Sequence, residues 1–134
     1  MNQLDLPLHS AFSSVAYEEG GSSWSFVFSG DNALAVEGIW RVFRSGVLAA
    51  ISTDHGHQFG LPAPMDLVQF MTQLLQGRQL LGIHVNDFGD ANFTFSDEVV
   101  LVAYVSSMGY ESYQFSAEGR QYIGMGGGEL SMMQ

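Results

Sequence analysis

The sequence predicts a mainly β, α+β domain in which two tandem antiparallel β-meander repeats, in a pseudo-twofold relation, are joined by one amphipathic helix. Three observations predict it. Phe26-Val27-Phe28-Ser29 recurs as Phe93-Thr94-Phe95-Ser96, and at the same shift Leu34-Ala35-Val36 falls on Leu101-Val102-Ala103, the mark of an internal repeat. Within both copies apolar and polar residues alternate, as they do along half-buried strands. Between the copies the apolar spacing changes from two to that of a helix.

The first repeat covers about 8–53. Phe12, Val15 and Tyr17 mark its first strand and correspond, after a one-residue adjustment, to Leu80, Ile83 and Val85. In the next strand Trp24, Phe26 and Phe28 share one face, with Ser25, Val27 and Ser29 on the other. Glu19-Gly20-Gly21, Ser29-Gly30-Asp31-Asn32 and Arg44-Ser45-Gly46 are turns, because Gly, Asn and Asp accept positive φ. Connections this short predict antiparallel neighbours.

The linker and helix cover about 54–77. Leu67, Phe70, Met71, Leu74 and Leu75 form one apolar stripe of a helix over 65–76. Pro64 suits the first helical position, Asp66 the first turn, and Gly77 the C-terminal stop. The stripe reads as core packing against the sheet, not as a cofactor box.

The second repeat covers about 78–130. Phe93 and Phe95 repeat the aromatic face, and Phe88-Gly89-Asp90 and Ala117-Glu118-Gly119 the turns. Tyr113, Phe115 and Gly119 match Trp40, Val42 and Gly46 once a six-residue insertion is allowed around Ser106–Tyr113. Two sheets, or one strongly bent sheet, then enclose an aromatic interior, with a closed barrel as the other arrangement.

Composition restricts the function. At 134 residues and 46% hydrophobic content the chain is one domain, 1–134. Without cysteine it has no disulfide framework, thiol nucleophile or thiolate metal site. The absence of an apolar run of membrane length and of a signal-like stretch over Met1–Leu8 reads as cytoplasmic. Fourteen acidic residues oppose four arginines and no lysine, for a net charge of −10. Such a surface repels nucleic acid and anionic membranes and attracts a basic protein, although acidity also serves plain solubility.

Candidate sites follow from local chemistry. Asp54-His55-Gly56-His57 places two histidines and a carboxylate close together, and on an extended segment both rings share one side. Asp54, His55 and His57 are therefore weak candidates for a metal or small ligand, against a loop whose polar groups cap the helix. His9 and His84 are isolated. The Ser106–Tyr113 insertion, with Tyr110 and Glu111, reads as a contact loop or as a wide turn in which Gly109 relieves strain. No base accompanies its serines, so no nucleophile is nominated. Gly124-Met125-Gly126-Gly127-Gly128 lacks the context of a phosphate loop and reads as a flexible end or a strand close to another backbone, such as the helix entry loop. Glu18-Glu19 and Asp97-Glu98 flank turns and face water.

In Asp54-His55-Gly56-His57-Gln58-Phe59-Gly60-Leu61-Pro62, Val36-Glu37-Gly38-Ile39-Trp40-Arg41, Met108-Gly109-Tyr110-Glu111-Ser112-Tyr113 and Gly126-Gly127-Gly128-Glu129-Leu130 the chain resembles a group of small uncharacterised bacterial proteins. Some of these are similar to immunity proteins of toxin systems. The resemblance spans nearly the whole chain and carries no catalytic residue with it. Together with the small size, the acidity, the lack of a catalytic constellation and the polar loops that contain aromatics, it points to a non-enzymatic protein-binding module without cofactor, an immunity protein or antitoxin that occludes a basic toxin. Glu18, Glu19, Asp97, Glu98, Tyr110 and Glu111 are the expected contacts. A metal or small-ligand site at the His55 loop and self-association into a homodimer through edge strands are the alternatives.

Overall fold

The computed structural model describes residues 4–133. The first half of the chain forms β1 (Leu4–Glu18), β2 (Ser23–Phe28), β3 (Asn32–Val36), β4 (Trp40–Arg44) and β5 (Val47–Ile51). After the helix α1 (Leu67–Leu75) come β6 (Gln79–Val85), β7 (Ala91–Phe95), β8 (Val99–Ala103), β9 (Tyr113–Ala117), β10 (Arg120–Gly124) and β11 (Leu130–Met133). All eleven strands join one antiparallel sheet in the order β11-β10-β9-β3-β2-β1-β6-β7-β8-β4-β5.

That order differs from two consecutive meanders. β3 pairs with β2 and β9, and β4 pairs with β8 and β5, so the three residues between β3 and β4 do not make a hairpin. The β4–β5 hairpin instead extends β8, and the β9–β10 hairpin extends β3. The registers are parallel in detail. Trp24, Phe26 and Phe28 face Val36, Leu34 and Asn32 across β2–β3, while Ala91, Phe93 and Phe95 face Ala103, Leu101 and Val99 across β7–β8. Leu34 and Val36 face Phe115 and Tyr113, while Leu101 and Ala103 face Val42 and Trp40.

β1 is the corner of the sheet. Its residues from Leu4 to Ala11 pair with β6 and those from Phe12 onward with β2, with register shifts at Pro7/Ser10 and Phe12/Ser14. Bulges of this kind bend a strand and leave local polar groups to be satisfied. Buried Ser10 does this: its hydroxyl donates to the Ser29 carbonyl and accepts from Asn32 Nδ2 at 3.1 Å. The bend lets strands far apart in the order touch. Phe26 of β2 meets Trp40 of β4 edge-on at 5.9 Å, and Phe93 of β7 meets Phe115 of β9 edge-on at 5.5 Å. Phe26 and Phe93 are both fully buried. The sheet therefore folds over an aromatic core, and offset or edge-on ring pairs are the favoured packing of such a core.

The helix is shorter than its apolar stripe predicts. Asp66 keeps an extended backbone and its side chain accepts from Gln69 N at 3.0 Å, so it is the N-cap rather than a first-turn residue, and Pro64 precedes the helix. Gly77 follows the helix at φ +80, the left-handed conformation that suits glycine after a C-terminus. Leu67, Met71 and Leu75 are buried and Phe70 points outward. Arg78 fastens the helix end to the β7–β8 turn, donating to the carbonyls of Leu74 at 2.7 Å and Ser96 at 2.9 Å. No helix among the described residues is long and apolar enough to cross a membrane.

Candidate partner-binding face

β2 pairs with one half of the long strand β1 and β6 with the other, and the bend between the halves brings alternate connections to the same end. The connections 19–22, 37–39, 52–66, 86–90, 104–112 and 125–129 meet at one end, and those at 29–31, 45–46, 76–78, 96–98 and 118–119 lie at the other. At the first end the two links that carry the chain between sheet halves bind each other. Glu37 N and Gly38 N both donate to Ser112 O at 3.0 Å, Ile39 N donates to Ser106 Oγ at 3.1 Å, and Tyr104 N donates to Ile39 O at 2.9 Å. Gly38 is required here, because a Cβ would strike the Ser106 side chain. We call this the crossover end.

Charge is distributed unevenly between the ends. Glu18, Glu19, Glu37, Asp54, Asp66 and Asp87 lie at or beside the crossover end, as do Asp5, Asp90, Glu111 and Glu129. The one arginine near it is Arg41, whose guanidinium lies over the Tyr104 ring at 5.1 Å. The far end carries Asp31, Asp97, Glu98 and Glu118 together with Arg44, Arg78 and Arg120. Almost all of the net charge of −10 therefore sits at one end.

The three most exposed large apolar side chains lie at the same end, while Val47, at 68%, stands beside the far end. Phe88 is 80% exposed, Met108 85%, Tyr110 79% and Phe59 65%. Two loops, 86–90 and 104–112, present the first three of these, and the Gly-rich segment 125–129 locks them together. A Cβ on Gly89 (φ +90) would run into the backbone of Gly128, and one on Gly128 (φ +90) into the Phe88 carbonyl. A Cβ on Gly126 would meet the Met108 backbone. The Gly-rich segment thus packs on the 86–90 turn and the 106–112 loop, not on the helix entry loop. Tyr113 closes the cluster from below, its hydroxyl donating to Gly89 O at 2.7 Å. Burial, and then the nearby Asp90 carboxylate, push the Tyr113 phenol well above its ordinary pKa. Within the 106–112 loop Ser107 Oγ accepts from Gly109 N and Tyr110 N, each at 3.0 Å, and Gly109 has no positive φ, so the strain-relief reading of that glycine falls away.

Six residues were expected to form one contact surface, and the fold divides them. Glu18, Glu19, Tyr110 and Glu111 stand at the crossover end; Asp97 and Glu98 stand at the far end, where Asp97 pairs with Arg78 at 3.5 Å. A single partner on one end does not reach both groups. Phe88, Phe59 and Met108 were not among the expected contacts; alternate connections indicate the end they occupy but not their exposure.

The histidine loop also differs from expectation. Ser52–Asp54 is a 3-10 turn and His57 N bonds back to Asp54 O at 3.0 Å, so the segment is not extended, although both histidines line one cleft. His55 Nδ1 accepts the Leu67 N–H at 3.0 Å, and His57 stacks on Phe59 at 5.5 Å. Among the described residues no three His, Cys, Asp or Glu side chains are grouped to hold a metal, so Asp54, His55 and His57 do not converge as ligands. His55 instead packs its ring on Tyr17 at 4.9 Å and on Trp24 at 5.1 Å, lining an open cleft of about 390 Å³. His84 bonds Asp5 Oδ1 at 2.7 Å on the exposed sheet surface. Comparison with family models, curated proteins and solved structures finds no match for the chain.

Proposed function

We propose that the chain is a non-enzymatic protein-binding module that uses its crossover end to occlude a basic protein, in the manner of an immunity protein or antitoxin covering a bacterial toxin. The observation that carries this reading is the coincidence, on one end, of most of the carboxylates with Phe88, Met108 and Tyr110, each at least 79% exposed. Exposed aromatic and Met side chains ringed by like charge match the anatomy of an interface: apolar anchors supply affinity and the charged rim supplies steering. Crowding carboxylates at one end is unfavourable for the isolated fold, since like charges repel. A basic partner removes that repulsion.

The two-copy architecture belongs to the same reading. It is supported by the coincident registers of β2–β3 with β7–β8 and of β3–β9 with β8–β4. Exchange of the two hairpins brings both crossing links, and hence the loops of both copies, to a single end. Titration against the protein encoded next to this one tests the proposal. Wild type binds it, and Phe88→Ser or Tyr110→Ala weakens binding at least about tenfold, as loss of an anchor does; absence of binding discards the proposal.

The alternative of self-association has one observation in its favour: Val47 and Leu48 are exposed on the edge strand β5. Light scattering decides it, a monomer ruling it out.

A further inference from the structure

We propose that the cleft lined by Tyr17, Trp24 and His55 receives the guanidinium of an arginine side chain from the basic partner. The inference rests on the partner-binding reading and adds a site to it. Three rings meet there, Tyr17 and Trp24 at 4.7 Å and His55 within 5.1 Å of both, and they wall an opening of about 390 Å³ at the crossover end. Glu37 lines the opening, and Glu19 and Asp66 line the adjoining space that shares Tyr17 and His55. No Arg or Lys lines either space. Trp24 is buried and backs the cleft, so the partly exposed Tyr17 and His55 rings, with carboxylates at the rim and no Arg or Lys, are the surface that suits a planar cation, which gains from ring quadrupoles and from charge together.

The second half of the chain shows that the opening is not forced by the fold. At the place in β6–β7 that corresponds in register to Ser22, Gly89 lies directly against Gly128, and the Tyr113 hydroxyl fills the space beneath. Backbone there meets backbone. In the first half, Ser22 and His55 line a cleft instead, and His55 is held in place by the Leu67 N–H on its Nδ1. One ring nitrogen is thereby fixed, which orients the imidazole as a wall.

The test is a two-dimensional NMR titration of the intact protein with N-acetyl-arginine methylamide, with the citrulline analogue as the uncharged control of the same shape. The arginine compound shifts the Trp24 indole and the amides of Ser22, Gly38 and His55 saturably. The citrulline compound binds roughly tenfold more weakly, as does arginine to Tyr17→Leu, whose fold is checked from the rest of the spectrum. Equal shifts with citrulline, or shifts scattered over both ends, overturn the inference. If the neighbouring protein binds but arginine leaves the cleft unmoved, the cleft site fails and the partner-binding reading stands. If arginine fills the cleft but no basic protein binds, the partner-binding reading fails and the cleft remains a small-cation site.

Discussion

The Leu67 amide at the start of α1 donates its hydrogen to Nδ1 of His55 at 3.0 Å. One imidazole thus satisfies a helix N-terminal donor that no intrahelical acceptor reaches, while its ring packs on Tyr17 and Trp24. The loop, weighed from sequence as a helix-capping loop against a weak metal or ligand site, holds the helix start through His55. Replacing His55 with Ala leaves that donor unsatisfied and removes the ring contacts. The loss is about 1–3 kcal/mol in urea unfolding, and thermal stability in His55→Ala is independent of added divalent ions.

Gly89 and Gly128 touch through their backbones at positive φ. An alanine at either position meets both a strained conformation and a collision, so each variant loses more than about 2 kcal/mol. Gly119, also at positive φ but facing open space, is the control. Its alanine variant loses only about 1 kcal/mol, measured by the same denaturation.

Phe26 and Phe93 occupy register-equivalent places and are both fully buried. Their truncation to Ala destabilises by similar amounts, about 3–5 kcal/mol each. A loss confined to one of them, read from chemical unfolding, contradicts the equal standing of the two halves in the core.

The strands were legible in the sequence because a period of two is local, and Phe-x-Phe needs only its neighbours to be recognised. The strand order was not. The three residues Glu37, Gly38 and Ile39 have the length and the glycine of a hairpin loop, yet their partners are Ser106 and Ser112, which the chain reaches only much later. The charge asymmetry was hidden for a related reason. Carboxylates scattered along the chain converge because alternate connections share an end, so Glu19, Glu37 and Asp87 become neighbours of one face while Asp97 does not. The exposure of Phe88 and Met108 depends on glycine contacts between three distant loops, which no local pattern encodes.

Tyr113 links the fold to pH. Its phenol is neutral when buried, and its pKa in the folded state lies above the unfolded value of about 10. Its contribution is fully present below that value and is lost as pH rises toward the folded pKa. Unfolding free energy therefore falls with pH above about 10, more steeply in wild type than in Tyr113→Phe. At neutral pH the Phe variant loses about 1 kcal/mol, because Gly89 O has no donor.

The most direct test compares the two ends of the molecule in calorimetric titrations with the neighbouring gene's product at low and moderate salt. The variants are Glu18→Gln/Glu19→Gln/Glu111→Gln at the crossover end and Asp97→Asn/Glu98→Gln at the far end. Affinity of the wild type falls as salt rises, and the crossover-end variant weakens binding by roughly tenfold or more at low salt while the far-end variant matches wild type. Equal weakening from both ends, or binding indifferent to salt and to the crossover-end carboxylates, contradicts the account.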